Sequence, residues 1–250
     1  MQHSSLSSVQ YLSKGFSLIW KPKIRTFVFI PLLINLLLLT IATIYAFENL
    51  SSWYNSLQQS DSSIIQWVME WLDWLIWPLV VICVFIVIFF IFAFIANWIA
   101  APFNGLLSEA VEKYLANDQF IDKPFNFSEF FNDIPRLLKR EWKKFLYYLP
   151  RALGCLILFL TPLAIVAPFI WFFFNAWMAG IQYIDYPMDN HKISFSQMLK
   201  EIRQQRGSTF GFGTIVMLLT MIPVVNILVM PAAVAGGTAL WFDKFHHKQH

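Results

Sequence analysis

The chain is poor in charge. Of its 250 residues only 13% are Asp, Glu, Lys or Arg, against about 25% in ordinary soluble domains. The formal net charge of +3 is too small for a nucleic-acid surface. There are two cysteines, Cys83 and Cys155, each inside an apolar run, so they read as small buried hydrophobes and not as a disulfide or metal pair. No HExxH, GxSxG, Walker lysine loop, haem or zinc spacing occurs, which excludes the enzyme classes built on those motifs. No cofactor or metal ion is implied. Short repeats, low-complexity tracts and a cleavable signal are absent as well. What remains is apolar: 58% hydrophobic residues, 26 Phe, 11 Trp and a mean hydropathy of +0.56. That much apolar surface needs lipid to cover it, so the chain reads as an all-α integral membrane protein.

The N-terminal stretch SLSSVQYLSKGFSLIW reads as an amphipathic helix in the interface, with Leu6, Val9, Phe16 and Trp20 toward lipid and a break at Pro22. Residues 27–47 are uncharged and number 21, enough to cross about 30 Å of hydrocarbon. Asn35 within them reads as a hydrogen-bonding partner for a neighbouring helix. Residues 48–74 are acidic and contain no Lys or Arg. Trp67, Trp71, Trp74 and Trp77 stand there at helical spacing, as an aromatic belt does. Residues 75–101 form a second apolar span. The 102–150 region is basic and reads as cytoplasmic and helical, over 106–116 after an Asn104 cap and over 128–148 after a Ser128 cap.

Two further apolar stretches, 151–184 and 210–241, are interrupted. Pro150, Pro162 and Pro168 divide the first, and Pro223, Asn226 and Pro231 the second. Each reads as a pair of half-length helices that enter and leave on one side, or else as an ordinary kinked span. All 18 Lys and Arg fall in 1–26, 102–151, 186–209 and 243–250. The positive-inside rule then places both termini and the central region in the cytoplasm. The whole chain is expected to form a single membrane domain.

The stretch WIAAPFNGLLSE, 98–109, is the strongest candidate for a site. If Asn104 opens a helix, the first-turn amides have no intrahelical partners and offer a seat to an anion. Arg25, at the same interface, supplies a guanidinium, and Thr26 and Ser108 supply hydroxyls. Glu109 counts against a strong anion seat unless it pairs with Arg25, Lys23 or Arg136 and orients them. Asp185, Asp189 and His191 in DYPMDNHK read as an Asx-type turn before a helix capped by Ser194.

Four long blocks, NWIAAPFNGLLSE, PRLLKREWKKFLYYLPRA, AWMAGIQYIDYPMDNHK and TMIPVVNILVMPAAVAGGTALW, closely resemble the bacterial sulfate permease CysZ family. The resemblance implies sulfate uptake across the cell inner membrane to supply cysteine synthesis. It also implies two long transmembrane helices with two pairs of half-penetrating helices, and a homo-oligomer in the lipid bilayer. It places sulfate at Gly105, Leu106, Leu107, Ser108 and Glu109 with Arg25, while Thr26 stands where the family usually has a second arginine. The competing reading is a non-conducting membrane scaffold or accessory subunit, since neither clear span carries a charge.

Overall fold

The computed structural model describes residues 6–58, 64, 67, 78–79, 81–86, 102–116 and 127–245. Every regular element among them is helical: α1 Ser8–Leu18, α2 Pro22–Gln58, α3 over 102–115, α4 Phe127–Leu158, a 3-10 turn Pro162–Ile165, α5 Ala167–Asn190, α6 Phe195–Gln204, α7 Arg206–Thr220 and α8 Pro223–Lys244. The chain divides into two compact units, Met1–Phe29 with Ala100–His250, and Ile30–Ile99.

Local sequence accounts for most of the helix ends. Ser7 opens α1 with a reciprocal capping box: its hydroxyl accepts from the Gln10 amide at 3.3 Å, and the Gln10 side chain accepts from the Ser7 amide at 2.7 Å. Ser194 caps α6 in the expected way, accepting from the Gln197 amide. Thr161 caps the 3-10 turn that separates α4 from α5, and Pro168 lies in the first turn of α5. Pro223 stands at the start of α8, after a two-residue break from α7. Pro150 and Pro231 do not divide the chain as expected: both lie inside continuous helices, α4 and α8. Proline removes one hydrogen bond and bends a helix, and the neighbouring turns keep it continuous here.

In the larger unit, α1 packs on α8, and α5 packs on α7 and α8. Residues 231–240 of α8 are buried without exception. The crossings are close because small residues stand at them. A Cβ on Gly213 of α7 would lie 1.9 Å from the Ala176 carbonyl oxygen of α5, and one on Gly15 of α1 would lie 2.1 Å from the Ala232 carbonyl oxygen of α8. Gly213→Val should therefore abolish folding, read as loss of a monodisperse peak on size-exclusion chromatography in detergent. Gly207→Ala, where a Cβ meets nothing within 4 Å, should leave that peak intact.

The helix expected near the N-terminus forms as α1, over Ser8–Leu18. Val9 and Trp20 are exposed, but the opposite face, Tyr11, Leu12, Gly15 and Leu18, is buried in the core. Two helices among the described residues are long and apolar enough to cross a membrane. In the most apolar 18-residue stretch of Pro22–Leu50 only 11% is buried, which leaves an apolar surface exposed, whereas in that of Val225–Lys244 67% is buried. α4 is turned inside out. Arg140 and Lys144 are buried, while Trp142, Phe145, Leu146 and Leu153 are exposed, as suits a helix whose outer face meets lipid.

In the smaller unit, α2 residues Thr43, Ala46, Phe47 and Leu50 line one apolar crevice with Val81, Val84 and Phe85 of the helical 81–86 stretch. Most of the expected 75–101 span, and Trp71, Trp74 and Trp77, lie outside the described residues. The polar 48–58 stretch continues α2.

Candidate functional site

The sequence-derived site residues all belong to the larger unit. Arg25 and Thr26 lie at the start of α2, where the Arg25 amide donates to the Lys21 carbonyl at 2.9 Å. Both side chains are exposed, and neither is held by a hydrogen bond or ion pair to another described residue. One turn earlier, just before α2, the Lys21 ammonium sits 5.9 Å from the ring centroid of Tyr114, in the last turn of α3.

The other five lie on α3, and here the expectation is corrected. Helical residues begin no later than Pro102, so Asn104 does not cap the helix. With 102–104 already helical, the amides of Leu106, Leu107 and Ser108 follow carbonyls one turn back, the intrahelical register, and do not form an open seat. The Asn104 side chain instead donates to the Tyr186 hydroxyl at 3.1 Å. Pro102 is itself helical, as suits a residue that favours a first helical turn.

Ser108 is fully buried against α8, its hydroxyl 2.9 Å from that of Thr238. Thr238 gives its single proton to the Val234 carbonyl at 2.8 Å, so Ser108 is the donor in the shared contact. Leu107 is buried and Leu106 half-buried. The Gly105 carbonyl accepts from the Asn190 side chain at 2.9 Å. Glu109 is exposed and pairs within its own helix with Lys113 at 2.5 Å, not with Arg25, Lys23 or Arg136.

Behind α3 lies a layer of charge. Arg136, Arg140 and Lys144 stand four residues apart on α4 and face Asp185 and Asp189, four apart on α5. Arg136 Nη1 donates to Asp189 Oδ2 at 2.6 Å and to the Asp189 carbonyl at 3.1 Å. Arg140 binds Asp185 through Nε, at 3.1 Å to each oxygen, and through Nη2, and gives Nη1 to the Ile193 carbonyl at 3.0 Å. Lys144 Nζ lies 2.5 Å from Glu141 Oε1 and 3.3 Å from Asp185 Oδ2. Arg140 and Asp185 have 7% and 1% of their side chains exposed, so the pair is shut away from solvent. Burial alone would pull the Lys144 pKa down, but Glu141 and Asp185 outweigh it and hold the ammonium above its usual value. Burial raises the Asp189 carboxyl above its usual range even though Arg136 opposes the shift.

The DYPMDNHK expectation is corrected too. Asp185 and Asp189 are helical, α5 runs to Asn190, and the chain then leaves through a Schellman close. The Ile193 amide donates to the Met188 carbonyl at 3.0 Å and the Lys192 amide to that of Asp189 at 2.8 Å, with Lys192 at φ 59°. His191 Nε2 lies 2.7 Å from Glu112 Oε1 of α3, and its ring is 4.8 Å from that of Trp241. The signal for this layer is present in the sequence as two four-residue spacings, Arg136/Arg140/Lys144 and Asp185/Asp189, but nothing local pairs the two helices.

Comparison with known proteins decides the family. Residues 11–231 match the model of the family described as sulfate transporter CysZ/etoposide-induced protein 2.4. The chain is 44% identical over 244 residues to the sulfate transporter CysZ of Salmonella typhimurium, covering 97% of this chain and 94% of that protein. It is 43% identical over 241 residues to the sulfate transporter CysZ of Vibrio atlanticus, covering 96% and 93%. The chain belongs to the sulfate transporter CysZ family. The resemblance carried by the four sequence blocks is thus borne out, and the CysZ relatives are transporters, not enzymes. Family membership makes this a bacterial membrane protein, in keeping with the lipid-ready surfaces of α2 and α4.

Proposed function

We propose that this chain carries sulfate across the bacterial inner membrane and so supplies sulfur for cysteine synthesis. The observation that carries the reading is the identity of more than two-fifths, over nearly the full length, to relatives named sulfate transporter CysZ. In this reading sulfate docks at the interface where α2 begins, on the Arg25 guanidinium and the Thr26 hydroxyl. The α3 segment Gly105, Leu106, Leu107, Ser108 and Glu109 forms the wall beside them. Since the Ser108 proton is engaged by Thr238 and Glu109 by Lys113, the two residues of α2 make the principal contacts. A guanidinium offers two parallel donors to a tetrahedral oxyanion.

The architecture proposed with it has long spans at 27–47 and 75–101, and half-penetrating pairs at 151–184 and 210–241. The break at the 3-10 turn between α4 and α5 and the break before Pro223 support those pairs. Both termini face the cytoplasm, because every Lys and Arg falls on that side of the proposed topology. The protein assembles as a homo-oligomer in the bilayer.

The test is radiolabelled sulfate flux into proteoliposomes that contain this protein alone. Saturable uptake above that of empty vesicles is expected. Flux equal to that of empty vesicles, from protein that stays monodisperse, would leave the scaffold or accessory-subunit reading in its place.

A further inference from the structure

The last turns of α5 hold two sets of partners at once. Asp185 and Asp189 reach back to the cations of α4. Each is followed by a residue that reaches α3: the Tyr186 hydroxyl accepts from the Asn104 side chain at 3.1 Å, and the Asn190 side chain donates to the Gly105 carbonyl at 2.9 Å. Successive residues of a helix point about 100° apart, so a pair repeated after four residues serves two neighbours along two parallel lines. Tyr186 is itself fixed, since its hydroxyl also accepts from Gln182 at 2.8 Å and its ring lies 4.8 Å from the Lys144 ammonium. His191 adds a third tie to α3, at Glu112.

These contacts meet α3 at the start of its 105–109 segment. A backbone carbonyl, unlike a side chain, cannot move without its helix, so the bond from Asn190 fixes the position of Gly105 itself. We infer that Tyr186 and Asn190 are positioning residues, through which the ion-paired α4–α5 layer sets the placement of the 105–109 segment against Arg25. Neither touches the anion. They act by holding the wall of the site in register with the guanidinium, and placement errors on the order of 1 Å are costly in such sites. The inference rests on the proposed reading of Arg25 and residues 105–109 as the sulfate site.

The experiment compares Tyr186→Phe, Asn190→Ala and Arg25→Ala with the wild-type protein by initial rates of radiolabelled sulfate uptake into proteoliposomes. Tyr186→Phe keeps the ring and removes only the hydroxyl, and Asn190→Ala removes an independent tie, so the two cover one another should either fold poorly. Loss of one such hydrogen bond should raise the KM for sulfate about two- to tenfold with the maximal rate per folded protein retained. The double variant Asn104→Ala/Tyr186→Phe should raise KM no further than Tyr186→Phe alone. An unchanged KM in both Tyr186→Phe and Asn190→Ala, or a loss confined to folded yield or maximal rate, overturns the inference. If Arg25→Ala raises KM while those two do not, the site stands and only the positioning role fails. If Arg25→Ala also leaves KM unchanged, the reading of the site fails with it.

Discussion

Asp185→Ala is expected to cost about 3–5 kcal/mol of stability, since it removes one partner from a buried ion pair and leaves the other charge uncompensated. Asp185 is the common acceptor of the α4–α5 layer: Arg140 binds both of its oxygens, and Lys144 lies 3.3 Å away. Without it, Arg140 retains the Ile193 carbonyl and a 3.7 Å approach to Asp189, and Lys144 retains Glu141. Neither set offsets the desolvation of two buried cations. The double variant Arg140→Met/Asp185→Leu, which deletes the pair and fills its space, should recover most of the loss. Glu109→Ala, which breaks only the exposed pair with Lys113, should cost about 0.5 kcal/mol or less. Thermal unfolding in detergent, followed by tryptophan fluorescence, ranks the three. Asp185→Ala no more harmful than Glu109→Ala would mean that the layer is not a structural anchor.

Arg25→Ala should weaken sulfate affinity by about ten- to a hundredfold, the range of a charge-assisted hydrogen-bonded contact worth about 1.5–3 kcal/mol. Stability should hardly change, because the side chain is exposed and supports no other described residue. Arg25→Lys keeps the charge but loses the planar fork, so it should recover affinity only in part. Thr26→Arg restores the arginine pair usual at this position in the resembled family and should lower the KM for sulfate. Both are read from the sulfate dependence of uptake into proteoliposomes.

The membrane character of the chain was legible because it is a bulk property. Long uncharged runs, sparse charge and the confinement of Lys and Arg to a few polar segments need no knowledge of packing. Helix starts were legible where the cap is local, as at Ser194, and misleading at Asn104, because Asn also serves as a long-range donor and Tyr186 is 82 residues away. The charge layer escaped for the same reason. Arg140 and Asp185 are 45 residues apart, and each alone reads as an ordinary interfacial charge or turn residue. The burial of one face of α1 could not be foreseen either, since α8 supplies its partner surface from the far end of the chain. Family resemblance supplied the substrate, while Arg25 stands out in the sequence itself as a guanidinium just before a long uncharged run.

Equilibrium binding of radiolabelled sulfate to the purified protein, wild type beside Arg25→Ala, tests the central claim most directly. Saturable binding that unlabelled sulfate displaces, and that the variant loses while still eluting as a monodisperse folded species, is the predicted result. Equal binding by both proteins would contradict it and move the anion away from the start of α2.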